Sequence, residues 1–415
     1  MPEQNPRKTR NTKPSRKRIG LVAIVVVITI VSGCFIWSTW NSKSVEQQLA
    51  ELEAARAIPD SENAALLYNK LMQDPNATSL ANWPQFIISM PTDQSSWSSE
   101  DYAKRAVWVE EKQPVIDALL KASNFDKCRF PIVGPHPAWR AMRIWRFLIR
   151  PAVINDIANG RIDDAISKWR CLLKMGNHLR QQPLFGAHFW AFTIEAAALK
   201  QMTAFLVQGN VQEAHLRRIE ALPLHTKDNW AAALEEITPA QELAVEIWKG
   251  QLDLIERIKY TIDYDGFGSV TDDDIAKIRR QYYELLARSR GLHVLVALRR
   301  YKNKHGYWPE KLDQIKTQVP PEMFIDPFGS ALTYRLIDDS FYLHAKRPNT
   351  SFYLYSIGPN KIDGGRNWGS SDDFLICPPP INTKETGAKR RPKPARIRKQ
   401  TTPQPEPMTK PLPLE

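Results

Sequence analysis

Near the end of its last apolar run the chain reads LYSIGPNKID and then GGRNWGSSDDFLI, which sets Asp363, Asp372 and Asp373 around a glycine-rich loop that opens on a Gly-Pro turn. Three carboxylates gathered by one tight loop either form a solvated polar connection or close around a cation, and calcium takes such oxygen-rich sets. A second acidic stretch, DYDGFGSVTDDD from Asp263 to Asp274, has aspartates at positions 1, 3 and 12 and Gly268 at position 6 of an EF-hand spacing. Phe267 removes the oxygen of position 5, and Asp274 stands where that pattern needs a two-pronged glutamate. Thr271 or Asp272 is also a natural N-cap, so this stretch predicts a capped turn between helices.

His178, His188 and Glu195 fall in one helical region, and His188 and Glu195, at i and i+7, share a face. No HExxH spacing, GxSxG elbow or phosphate-cradling glycine loop accompanies them, so they predict satisfied structural residues. His136, between Pro135 and Pro137, predicts a rigid turn. Cys128 and Cys171 are too far apart for a metal or redox CxxC pair. They are compatible with a disulfide in an oxidising compartment or with two buried free thiols.

The elements that position these residues follow from charge and periodicity. The formal charge of +12 is concentrated in two tails. Arg7, Lys8, Arg10, Lys13, Arg16, Lys17 and Arg18 oppose only Glu3 in the first. The second, from Lys384 to Lys410, is equally basic and lies in a proline-rich, aromatic-free stretch from residue 377 to 415 that predicts disorder. The body between them is close to neutral, which excludes a broad basic face for nucleic acid. The second tail predicts attraction to anionic lipids or envelope polymers.

Ile19 to Trp37 has no charged residue, and a helix of that length covers roughly 30 Å of hydrocarbon. With the basic tail before it, the stretch predicts a single-pass transmembrane helix over residues 19–40. The N-terminus (1–18) is then cytoplasmic and the body periplasmic, in a bacterial inner membrane. VSGC, ending at Cys34, is the alternative: a lipoprotein anchored through that cysteine.

From residue 41 to 284 the pattern is helical. Ile162, Ala165, Ile166, Trp169, Leu172 and Leu173 make a single apolar stripe. Gly160, Ile162 and Ala165 recur as Gly209, Val211 and Ala214, which predicts an irregular array of helical hairpins of the tetratricopeptide type. SENAALLYNKLM reads as a helix with Ser61 as its expected N-cap. After Gly306, the segments DPFGSALTYRLI, SFYLHAK and SFYLYSIG are short, aromatic and β-branched and predict a three-stranded antiparallel meander. The fold class expected is mainly α: a helical-hairpin array followed by a small α+β module.

The order of HVLVALRRYKNKHGYWPEKLDQI, DPFG, short strands and YSIGPN…DGG…DD resembles the C-terminal part of the major pseudopilins of type II secretion systems. The likeness covers roughly residues 285–376. It implies a three-stranded sheet on a long helix and a calcium ion held by the closing loop, which carries over to Asn360, Asp363, Asp372 and Asp373, with carbonyls near Ile357. IGLVAIV lacks the glutamate of a prepilin-peptidase site, so polymerisation as a pilin subunit is not implied.

Two function classes remain. The first is a non-enzymatic structural or interaction protein of the cell envelope that displays a pseudopilin-like module to other envelope proteins, in a secretion or pilus-like system. The alternative is an envelope hydrolase whose site lies in the helical part. An inward-facing cluster of acidic and histidine side chains in a pocket would favour the hydrolase.

Overall fold

The computed structural model describes residues 43–78, 99–133, 138–208, 211–251, 270–336, 352–364 and 372–377. Its helices are α1 (Val45–Ala55), α2 (Ala65–Met72), α3 (Pro75–Thr78), α4 (Ser99–Glu111), α5 (Gln113–Ala122), α6 (Ala138–Ala158), α7 (Ile162–Arg180), α8 (Phe185–Gln208), α9 (Glu213–Glu220), α10 (Trp230–Gln251) and α11 (Asp272–His305). Strands β1 (Thr333–Leu336), β2 (Phe352–Ser356) and β3 (Phe374–Cys377) follow, in the order β1-β2-β3, and both pairings are antiparallel. The protein is thus mainly helical with one small sheet at its C-terminal end.

The apolar stripe read from the sequence forms α7, with Ala165, Ile166, Trp169, Leu172 and Leu173 buried. One face, however, is not all that α7 buries. It lies between α6 and α8, and Lys168 and Lys174 are enclosed as well. Their charges are met by Asp156 and Asp126, each at 2.5 Å. The second hairpin copy is weaker than its spacing suggests: α9 is short, and Ala214 is exposed where Ala165 is buried. The cap of α2 also differs, because Ser61 lies in a separate 3-10 turn and Asn63 Oδ1 accepts from Ala65 N at 3.0 Å.

Helix α11 ties the sheet to the helical body. Thr271 caps it in a capping box with Asp274, so Asp274 serves the helix end rather than the twelfth position of a calcium loop. The rest of that acidic stretch lies outside the described residues. Along its length α11 packs on α8, α9 and β3. Gly291 permits the approach of the sheet: a Cβ there would stand 2.7 Å from Ile376 Cγ2. Trp308, in the turn after α11, is held by Arg299 at 4.9 Å and Lys302 at 4.6 Å from its ring centre and by the Phe352 ring at 4.7 Å. One apolar cluster runs from Tyr68, Trp145 and Trp169 through Leu295 to Phe352, Leu354 and Ile376. The boundary expected between residues 284 and 285 therefore falls inside α11.

One expectation requires correction. Among the described residues no helix is long and apolar enough to cross a membrane. The long, apolar α8 is interrupted by His188, Glu195, Lys200 and Gln201. A membrane-spanning signal anchor is therefore not part of the described architecture, and residues 19–40, the tails and Cys34 lie outside the described residues. Among the described residues the sheet has three antiparallel strands, as expected, and one of them is Phe374–Cys377, beyond the acidic loop, with all four of its side chains buried. SFYLHAK, expected as the middle strand, lies outside the described residues.

Candidate functional site

The acidic loop is built on a buried knot. Asp326, of the DPFG turn, accepts at one carboxylate oxygen from Phe328 N at 2.9 Å and Ser330 N at 2.8 Å. Its other oxygen accepts from Ser356 Oγ at 2.7 Å. Ser356 Oγ accepts in turn from Gly358 N at 3.1 Å. The knot fastens the end of β2 to the turn before β1. Gly358 then has φ +71°, and a Cβ there would stand 2.2 Å from the Asp372 carbonyl oxygen. Both a left-handed backbone and close approach demand glycine at this position.

Three of the four candidate ligands, Asn360, Asp363 and Asp372, have separate partners. Asn360 Oδ1 accepts from Ile362 N at 2.9 Å, closing a local turn. Asp363 is ion-paired with Arg335 and accepts from Tyr355 Oη at 3.0 Å. Asp372 Oδ1 lies 3.9 Å from Arg280 of α11. Asp373 is buried at the start of β3, and its charge is among the influences that push the Tyr355 hydroxyl up to about 12, after burial and the Asp363 hydrogen bond. Among the described residues no group of three or more histidine, cysteine, aspartate or glutamate side chains is placed to hold a metal ion. Asp326, Ser356 and Arg335 were not singled out by the sequence reading. The one signal for Asp326 is its place before Pro-Phe-Gly, where an aspartate caps a turn.

A second polar cluster lies inside the helical body, where α7, α8, the segment around residues 225–229 and α11 meet. Arg180 Nε stands 3.0 Å from Glu195 Oε1. A Cβ on Gly176 would stand 2.3 Å from Glu195 Cγ, so the bare glycine is what admits this side chain. Burial raises the Glu195 pKa, opposed by Arg180. Arg180 Nη1 also lies 2.6 Å from His225 Nδ1. A guanidinium only donates. His225 Nδ1 must then accept, and its Nε2–H faces Tyr282 Oη at 3.1 Å. The tyrosine hydroxyl is left to donate to Asp228 Oδ1 at 3.0 Å while accepting from Asn229 N at 2.7 Å. Burial first, then the charges of Arg180 and Arg290, push His225 down to about 3.

His178 and His188, noted in the sequence, are also neutral and buried. His178 Nε2 faces the Phe125 carbonyl at 2.9 Å and must donate to it, so its Nδ1 accepts from Tyr68 Oη at 3.0 Å. Burial pushes it down to about 4. Burial, then the Arg180 charge, pushes His188 down to about 3. His136 lies outside the described residues. Cys128 and Cys171 are buried free thiols, and burial pushes Cys171 up to about 12.

His188 and Glu195 thus both reach the Arg180 cluster, as their shared helix face implied. Arg180, His225, Tyr282 and Asp228 were not legible in the sequence, because they come from three separated segments. Chemically the cluster orders protons along a chain of donors and acceptors that runs from the buried Glu195 to Asp228 at the surface. No protein-family model, curated protein or solved structure matches the chain.

Proposed function

We propose that this chain is a non-catalytic interaction protein: a helical body that holds a small sheet module, resembling that of pseudopilins, in a fixed pose for contact with other proteins. The observation that carries the reading is the fastening of α11 to the body. Arg299 donates to the Leu206 and Val207 carbonyls, each at 2.5 Å, and Asn303 donates to the Val211 carbonyl at 2.7 Å. Arg290 bridges the Thr226 carbonyl of the body and the Ile325 carbonyl of the module, both at 3.0 Å. Side chains that saturate the carbonyls of the last turn of α8 and of Val211 just beyond it convert a long helix into a rigid mount.

On the module, large apolar side chains stay in water: Ile362 is 67% and Leu336 45% exposed. Isolated exposed apolar residues are common, but each of these two is the sequence neighbour of one member of the Arg335–Asp363 ion pair, and a protein partner that covered them would find apolar contact beside fixed charge. Ile362→Lys with Leu336→Lys should abolish co-purification of a partner with the full chain while leaving its thermal unfolding unchanged. Unaltered co-purification would defeat the reading.

A second reading, a hydrolase, is favoured by one observation: an acid and two histidines do face inward around Arg180. His225→Asn and Glu195→Gln, assayed against ester and peptide substrates, test it. Loss of a measurable wild-type activity in both would support a hydrolase.

A further inference from the structure

Residues 225–229, in the connection between α9 and α10, are held against α11 as a strap, and polar groups do the holding. None of the five residues is apolar. The Tyr282 hydroxyl is the hub: besides its bonds to His225, Asp228 and the Asn229 amide, it lies 3.1 Å from Asn229 Oδ1 and 3.3 Å from the Lys227 carbonyl. Arg290, further along α11, donates to the Thr226 carbonyl at 3.0 Å. From the other side Arg180 of α7 donates to His225 Nδ1 at 2.6 Å. His225 is half-buried, whereas Lys227, Asp228 and Asn229 are exposed. Leu222 and Trp230, on either side of the strap, are buried.

Arg180 claims the lone pair of His225 Nδ1, so the ring can keep its place only while it is neutral. A proton on Nδ1 would set N–H against N–H at 2.6 Å and add a positive charge facing Arg180 of α7 and Arg290 of α11, with His188 of α8 as a further titratable neighbour. Tyr282, whose hydroxyl burial pushes up, stays uncharged. The carboxylates of the cluster reach the imidazole only through other side chains: Glu195 of α8 through Arg180, and Asp228 through the Tyr282 hydroxyl. Burial and the arginine charges accordingly keep the closed imidazole at about 3. Released into water, it titrates at about 6.5. Below that pH the open strap takes up a proton that the closed strap refuses, and opening becomes easier as pH falls.

We propose that residues 225–229 form a pH-sensitive strap, closed on α11 by Tyr282 and Arg290 while His225 is neutral and released when that imidazole takes up a proton. The protonated ring parts from Arg180, and the neighbouring Asp228 and Asn229 leave the Tyr282 hydroxyl with it. Release bares Tyr282 and the Phe192 ring 5.6 Å from it, while α10 stays docked through the buried Ile237, Ala240 and Ala244. The inference rests on neither reading of the function.

The test is hydrogen exchange of the full chain at pH 7 and pH 5, expressed as protection factors so that the pH dependence of the chemical step is removed. The reporter is the Asn229 amide, which donates to Tyr282; amides inside α7 report global unfolding. Protection at Asn229 should fall about 25-fold from pH 7 to pH 5, the factor for one imidazole whose open form titrates at about 6.5 and whose closed form is held at about 3. It should stay below the protection of α7 at both pH values. His225→Asn offers Arg180 an amide oxygen that does not titrate; whatever its protection at pH 7, this variant should lose most of the fall. Equal protection of Asn229 at pH 7 and pH 5 in the wild type would overturn the proposal. So would an undiminished fall in His225→Asn, or protection of Asn229 that matches that of α7 at both pH values, which would show that the strap opens only with the whole protein.

Discussion

Arg300 of α11 grips Glu220 of α9 with both prongs of its guanidinium, Nη2 to Oε2 at 2.8 Å and Nη1 to Oε1 at 3.1 Å, while its Nε reaches Glu213 Oε1 at 3.0 Å. The helix that bears the sheet is thereby pinned to the helical body by a two-glutamate clamp. Arg300→Ala should lower unfolding free energy by about 1–2 kcal/mol, since charge-assisted bonds of partly enclosed groups exceed those of exposed pairs. Arg300→Lys should recover less than half. Urea denaturation of the three proteins checks this, and an alanine variant as stable as the wild type would contradict the clamp.

Asp326 concerns the module itself. Its carboxylate accepts three hydrogen bonds in a buried site, so Asp326→Ala leaves three donors unsatisfied and should cost roughly 3 kcal/mol or more. Ser356→Ala, which removes one of those bonds, should cost about 1 kcal/mol. Hydrogen exchange should show the excess opening in β2 and in residues 358–364, with α7 protected as before.

Acid should unfold the protein through its buried imidazoles. His178, His188 and His225 are held at about 4, about 3 and about 3 against about 6.5 in an unfolded chain. Below pH 6.5 the unfolded state binds more protons, so stability falls as pH drops toward 4, by up to about 1.4 kcal/mol per pH unit for each imidazole. Glu195, raised by burial, binds its proton more readily when folded and acts in the opposite sense. Urea midpoints at pH 7, 6 and 5 should decline, and the decline should be steeper in Glu195→Gln. A flat profile from pH 7 to 5 would contradict the neutral, enclosed state of these histidines.

How far such groups could be read beforehand depended on whether they share one helix. His188 and Glu195 do, and their i, i+7 spacing gave their common face. The Arg180–His225–Tyr282–Asp228 chain joins residues whose proximity is set only by tertiary packing, and no local period reports it. The same distinction separates the strands: β1 and β2 announced themselves by aromatic and β-branched runs, whereas FLIC, four residues behind two aspartates, was legible only as the end of a loop. For α7 the apolar stripe was visible, but the burial of Lys168 and Lys174 was not, because it depends on aspartates brought in by other elements. Thr271 was readable as a cap because a capping box is local by nature.

Calcium at the acidic loop is proposed from the resemblance, and the geometry makes it compete with a cation of the chain. Arg335 and a calcium ion would share Asp363. In millimolar calcium Arg335→Ala should therefore gain a larger, chelator-reversible rise in Tm than the wild type; a ligand at a hundredfold excess over its Kd stabilises by about 2.7 kcal/mol. No rise in either protein would remove calcium from the account.

The central claim is that the module, held by α11, is the face that meets a protein partner. The most direct measurement is site-specific photo-crosslinking of the full chain, in the cells that make it, from a photoreactive residue at position 362 or 336. Val107 on α4, 58% exposed and also apolar, is the control on the helical body. The account predicts one discrete protein adduct shared by positions 362 and 336 and absent from position 107. No adduct from either module position, or the same adduct from all three, would contradict it.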